Sequence, residues 1–147
     1  MEDIHYLEID ASWKDRMAEE WGQKVACHLC FTDGFTIIAM HQQNMVGLIS
    51  VYWRELPPPL AGVQEGYINI IEVRTAYRKR GIARQLIALS IHRAAGHHAC
   101  QLRAWSSEDK LEAIRMWKQL GFGLYPAVTF PGGKEVRGYF VTKVLEN

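Results

Sequence analysis

Cysteine is scarce: the 147 residues include Cys27, Cys30 and Cys100. Three thiols cannot all pair with one another, which fits a reducing compartment and a cytoplasmic protein better than a disulfide scaffold. Cys27-His-Leu-Cys30 has the outline of a C-x-x-C. Zinc would need two more ligands, and Cys100, near His97 and His98, has neither ribbon nor finger spacing, so no metal site is expected. Charge of one sign is missing too, since 17 Lys and Arg against 16 Asp and Glu leave +1. No global field draws in nucleic acid. No apolar run approaches the ~20 residues that span a bilayer. Met1-Glu-Asp-Ile-His lacks the basic-then-apolar order of a secretory leader. Neither a nucleic-acid nor a membrane partner is expected. Two phosphate-loop signatures are also absent, G-x-x-x-x-G-K-[ST] and G-x-G-x-x-G, which excludes the familiar nucleotide and dinucleotide cradles.

What is present is a basic segment confined to residues 74 to 84, Arg-Thr-Ala-Tyr-Arg-Lys-Arg-Gly-Ile-Ala-Arg. An apolar stretch, Tyr67 to Val73, precedes it, and an amphipathic one opens at Ile82. A strand therefore feeds a glycine-containing turn that starts a helix. Free N–H groups and the positive end of the dipole face that turn. Gly81 lets backbone approach a ligand closely. Cations at a helix N-terminus have the wrong sign for the dipole, so the cluster reads as a site visited by a phosphate-bearing anion.

Length suits one domain spanning residues 1–147. Residues 2 to 9 read as a strand. Ser12-Trp-Lys-Asp15 resembles a capping box, and Trp13, Met17, Trp21 and Val25 recur along one face of a single helix. Thr36–Met40 and Val46–Trp53 read as strands around a hairpin turn at 41–44. Pro57-Pro-Pro59 stiffens the next connection. Tyr67–Val73 is expected to be a buried central strand. A helix from Ile82 stops at Gly96. A strand at 100–105 and a helix at 108–120, ended by Gly121, come next. Two strands joined at Pro131-Gly-Gly133 complete the order βαβββαβαββ. This pattern predicts an α/β fold (α+β mixed sheet): a central mixed sheet with helices on both faces.

Arg78-x-x-Gly81-x-Ala83, five residues after Val73, resembles the [R/Q]-x-x-G-x-[G/A] loop of the GNAT superfamily of acyl-CoA-dependent N-acetyltransferases. Ala113-Ile-Arg-Met-Trp117-Lys-Gln-Leu-Gly-Phe122 is similar to that superfamily's A-x-x-x-Y-x-x-x-G-F, with tryptophan in place of tyrosine. The likeness covers residues 67 to 125 in motif and the N-terminal third only in its pattern of elements. It implies a GNAT-like fold and acetyl-CoA as donor. It places pantetheine along the backbone of Ile71, Glu72 and Val73. Pyrophosphate would then meet Arg78, Lys79, Arg80, Gly81, Ile82, Ala83 and Arg84. Lys110 stands where relatives carry a CoA-binding asparagine, and Trp117 packs on the ligand or the core.

The catalytic residues are less determined. Glu72 is the leading general base, in an apolar context expected to raise its pKa, and Tyr67 and Glu65 are alternatives. Glu72 could instead pair with Arg74 or Arg103. Strict alternation sets Glu72 on the face opposite Tyr67, Asn69, Ile71 and Val73, unless a bulge intervenes. Indole is a donor without an accessible acidic proton, so Trp117 is a poor general acid, with Ser106, Ser107 and Tyr125 as substitutes. The acceptor implied is a primary amine of a small molecule or peptide: a polyamine, an antibiotic amine, an amino acid or a protein N-terminus. A homodimer is compatible with the pattern. The competing reading is an acyl-CoA-binding module without turnover.

Overall fold

The computed structural model describes residues 3–145. Its elements, in chain order, are β1 (Ile4–Ile9), α1 (Lys14–Trp21), α2 (Gln23–Ala26), β2 (Gly34–His41), β3 (Asn44–Glu55), β4 (Gln64–Val73), α3 (Ile82–Gly96), β5 (Gln101–Ser107), α4 (Leu111–Gln119), β6 (Gly123–Thr129) and β7 (Val136–Val144). The strands form one sheet ordered β1-β2-β3-β4-β5-β7-β6. Neighbours are antiparallel except β4 and β5, which run parallel, as the α3 crossover between them requires. No described helix is long and apolar enough to cross a membrane.

Two apolar clusters sandwich the sheet. Ile82, Leu86 and Ile87 of α3 and Trp117 of α4 pack with Ile37, Ile49, Val51, Ile68, Leu102 and Val141. On the opposite face, Met17 of α1 packs with Ile9, Ile38, Met45 and Leu48, joined by Trp13, Trp21 and Ile70. Among the described residues, the strands contributing to the second cluster are β1 to β4, and none of its members comes from β5, β6 or β7.

Two local expectations change. The first helix breaks at Gly22, whose φ of 88° and ψ of 159° leave helical space. In place of the Ser12–Asp15 box, Asp10 accepts from the Ser12 amide at 2.9 Å and caps a 3-10 turn, Ala11–Trp13, that leads into α1, which has no side-chain cap of its own. α3 stops at Gly96 as expected, and the left-handed residue that follows it is His98, φ 65°. Gly121, by contrast, is left-handed at φ 86°, and Phe122 N–H reaches back to the Trp117 carbonyl at 3.0 Å, closing α4.

The larger correction concerns β4. It is buried through Glu65, Gly66 and Ile68, but Glu72 is exposed. The reason lies in its pairing. β4 and β5 are in register only at Gly66–Leu102 and Tyr67–Arg103. Beyond Tyr67 no strand lies beside that edge of β4 among the described residues. The opposite edge stays paired with β3, but the register shifts there: Val51 faces Ile68 and Ser50 faces Ile70, leaving Asn69 as a bulged residue. A bulge bends and twists its strand, and this one falls where pairing with β5 stops.

Candidate functional site

The opening between β4 and β5 is the centre of the site. The backbone of Asn69 to Val73 borders it without a strand partner on the β5 side. Ile71 and Val73 send their side chains into the α3-side core, so their contribution at the edge is main-chain. Beyond Val73 the chain makes a short 3-10 turn, Thr75–Tyr77, then the loop into α3. Lys79 and Gly81 are both left-handed, with φ of 63° and 82°. No side chain caps α3, and the first helical bond comes from Gln85 N–H to the Gly81 carbonyl at 3.0 Å. The amides of Ile82, Ala83 and Arg84 are thus the orphan donors of a helix start. A Cβ built on Gly81 would meet no atom within 4 Å. Open space, free amides and left-handed backbone together fit a phosphate.

The loop cations are better compensated than their sequence suggests. Arg78 Nε donates to the Val73 carbonyl at 3.2 Å. Lys79 Nζ lies 3.7 Å from Glu112 of α4. Arg84 donates to the Gln119 side chain, and Arg80 lies over the Tyr77 ring at 5.1 Å. Lys110 is exposed just before α4, its N–H bonded to the Ser107 carbonyl at 3.1 Å. Trp117 keeps 3% of its surface and meets Phe122 edge-on at 4.8 Å. Its ring belongs to the core.

The bulge settles which way Glu72 faces. Glu72 pairs with Leu48, a member of the α1-side cluster. Glu72 therefore shares its face with Tyr67, Asn69 and Ile70, against strict alternation. The expected apolar surroundings are absent, because this end of β4 is exposed. The expected ion pairs are absent as well among the described residues. Arg74 stacks on Trp21 at 3.7 Å and donates to the Glu20 carbonyl at 2.8 Å, while Arg103 is held by Glu65. Asn69 donates from Nδ2 to the His28 carbonyl at 2.9 Å, tying the bulge to the segment after α2.

At the closed end of the opening stands an ion pair that sequence reasoning did not assemble. Glu65 and Arg103 meet in a two-pronged contact, with Nε–Oε1 at 2.9 Å and Nη2–Oε2 at 2.7 Å. Gln101 adds a bond to Glu65 Oε1 at 2.8 Å. Burial alone would push the Glu65 carboxyl up, but hydrogen bonds from Arg103 and Gln101 and the Arg103 charge hold it below its ordinary value. A carboxylate so held is a poor proton acceptor, which removes Glu65 from the base candidates. Burial raises the Tyr67 hydroxyl pKa, so it stays protonated at neutral pH. Among the substitutes for an acid, Ser106 is buried on the α3 side, whereas Tyr125 is exposed and borders an open depression of about 480 Å³ beside Arg103. The Glu65–Arg103 signal was in the sequence as two charged residues inside apolar strands. Only the parallel β4–β5 pairing brings them within reach, because Arg103 is in register with Tyr67, two residues on from Glu65 along β4.

A mixed sheet whose central parallel pair separates beside an uncapped glycine turn defines an acyltransferase-type architecture. The acetyltransferase (GNAT) family model matches residues 1–122. The chain belongs to this family, and it is an acetyl-CoA-dependent acetyltransferase. No curated protein matches it in sequence. Among solved structures, Arabidopsis thaliana NAA60 in complex with acetyl-CoA superposes with a TM-score of 0.80 at 17% identity, over 97% of this chain and 100% of that one. The Escherichia coli ribosomal-protein-S18-alanine N-acetyltransferase gives 0.75 at 13% identity, over 99% and 96%. The putative acetyltransferase yncA from Salmonella typhimurium with acetyl-CoA gives 0.72 at 15% identity, over 98% and 95%. At these identities the likeness is one of fold.

Proposed function

We infer that this chain, acting as one domain, moves an acetyl group from acetyl-CoA to a primary amine of a small molecule or peptide. The observation that carries this reading is the partnerless edge of β4 running directly into the uncapped Gly81 turn. The backbone of Ile71, Glu72 and Val73 would hold an extended pantetheine arm as a neighbouring strand would. The amides of Gly81 to Arg84 would take the pyrophosphate, with Arg78, Lys79, Arg80 and Lys110 adding charge. Charge-assisted bonds of this kind are worth roughly 1.5–3 kcal/mol each. An amine arriving on the α1-side face must be neutral to attack the thioester carbonyl. Glu72, exposed on that face, would take its proton directly or through water. The departing thiolate is a fair leaving group, with thiol pKa near ~8.5, and Tyr125 is the exposed hydroxyl on that side. Support for a peptide acceptor comes from the NatC complex bound to Gag peptide and CoA, a structure of this fold.

The burial of Trp117 favours a second reading, an acyl-CoA-binding module without turnover, because it leaves no acid at the position where the superfamily carries tyrosine. Two measurements separate the readings. Acetyl-CoA should raise the melting temperature, by about 2.7 kcal/mol of stabilisation at a hundredfold excess over Kd. Thiol release should follow when amines are added; binding without release would favour the module. Gly81→Val should abolish the melting shift, since a branched side chain enters the open space and must adopt φ near 82°. An unchanged shift would refute the loop assignment.

A further inference from the structure

The Glu65–Arg103 pair does more than close the sheet. Glu65 keeps 1% of its side-chain surface and Arg103 16%, so the pair turns its cationic member outward. The guanidinium is clamped on both sides by rings, 4.7 Å from Tyr67 and 4.8 Å from Phe140. Nε and Nη2 are committed to Glu65, and among the described residues Nη1 has no hydrogen-bond partner. Arg103 lines the open depression with Tyr125, Phe140 and Thr142. It is also the β5 residue in register with Tyr67, the last paired position before β4 and β5 part. Arg54, opposite Glu65 on β3, adds a second positive charge near enough to act on that carboxylate. Two guanidinium groups thus surround one buried carboxylate, leaving an excess of positive charge beside the place where the acyl group would arrive.

We propose that this depression is the acceptor subsite and that it selects an amine carrying a carboxylate, which the free edge of Arg103 binds beside Tyr125 and Thr142. The proposal rests on the amine-acetylation reading above. A planar guanidinium held rigidly by a carboxylate and two rings loses little freedom on binding a second carboxylate. The same excess charge disfavours a second ammonium, so diamines are poor acceptors.

The test is a matched series of primary amines with acetyl-CoA, reading thiol release. Amino acids from glycine to 6-aminohexanoate are compared with alkylamines and diamines of equal chain length, which scans the unknown amine-to-carboxylate span. At one length the carboxylate-bearing amine should exceed both counterparts by ~10- to 100-fold in kcat/KM, the range of one charge-assisted hydrogen bond. That preference should vanish, chiefly through KM, in the double variant Glu65→Gln/Arg103→Gln, which removes both charges together. Thr142→Val, which leaves the ion pair in place, should reduce it and keeps the proposal testable if the double variant does not fold. Equal rates across the three classes, a preference for diamines, or a preference that survives in the variants would overturn this inference alone. Thiol release with none of the amines, in a protein still stabilised by acetyl-CoA, would overturn the amine-acetylation reading and this inference with it.

Discussion

The two ends of β4 carry carboxylates seven positions apart in sequence, Glu65 and Glu72, on one face of one strand. Glu65 pairs with Arg54 of β3 and directly precedes the two positions paired with β5, and its carboxylate is buried, held by two nitrogens of Arg103 and acid-shifted. At Glu72 the β5-side edge has no neighbour, and the side chain is exposed without an ion-pair partner among the described residues. Residue type does not distinguish them. The extent of strand pairing does, because loss of the β5 neighbour opens both backbone and side chain to whatever enters between the strands. A strand that is half structural and half open puts a rigid reference next to a reactive edge.

That contrast breaks if the two carboxylates behave alike on mutation. The largest effect expected is on turnover: Glu72→Gln should lower kcat by ~10²–10⁴-fold, with acetyl-CoA affinity and urea midpoint close to wild type. Full activity in this variant would move the base role to a water chain. Glu65→Ala should show the reverse pattern. Removing one member of a buried pair leaves Arg103 uncompensated and costs about 3–5 kcal/mol, read from urea denaturation. A loss under 1 kcal/mol would mean that solvent reaches the pair freely.

Acid sharpens the same distinction. Glu65 has a lower pKa folded than unfolded, so the stability it contributes is complete above its ordinary pKa and is lost as pH falls through the depressed folded value. Denaturation midpoints followed downward from pH 6 should fall more steeply in the wild type than in Glu65→Gln, which has no proton to bind. Parallel curves would show that the pair contributes nothing to acid sensitivity.

Much of this arrangement was legible in the chain. The Arg78–Gly81–Ala83 loop, the order of elements and the left-handed cap at Gly121 are local features, set by turn chemistry and apolar periodicity within a few residues. What escaped was set by pairing between distant strands. Periodicity places Glu72 on the wrong face because the extra residue at Asn69 shows only against β3. The buried strand expected from Tyr67 to Val73 is half open because β5 follows it for only two residue pairs. The Glu65–Arg103 clamp joins residues 38 apart through a parallel register that no sequence window contains. Trp117 could be read as a departure from its motif, while its place in the core depended on Phe122 folding back at the end of α4.

The smallest expected effect lies at the open end. Lys79 and Glu112 are 3.7 Å apart with 81% and 80% of their side-chain surfaces exposed. Such a pair contributes little to stability, and salt screens it. If Lys79 belongs to the phosphate site, however, Glu112 competes with the incoming anion for the same ammonium. Glu112→Ala should leave the urea midpoint nearly unchanged and tighten acetyl-CoA binding by roughly 1.5- to 5-fold at low salt, the range of one exposed ion pair. The gain should fade as salt rises, because the interaction removed is itself screened. Weaker binding on removing Glu112 would show that this acid orients Lys79 instead of competing for it, and an effect independent of salt would place its origin in the start of α4.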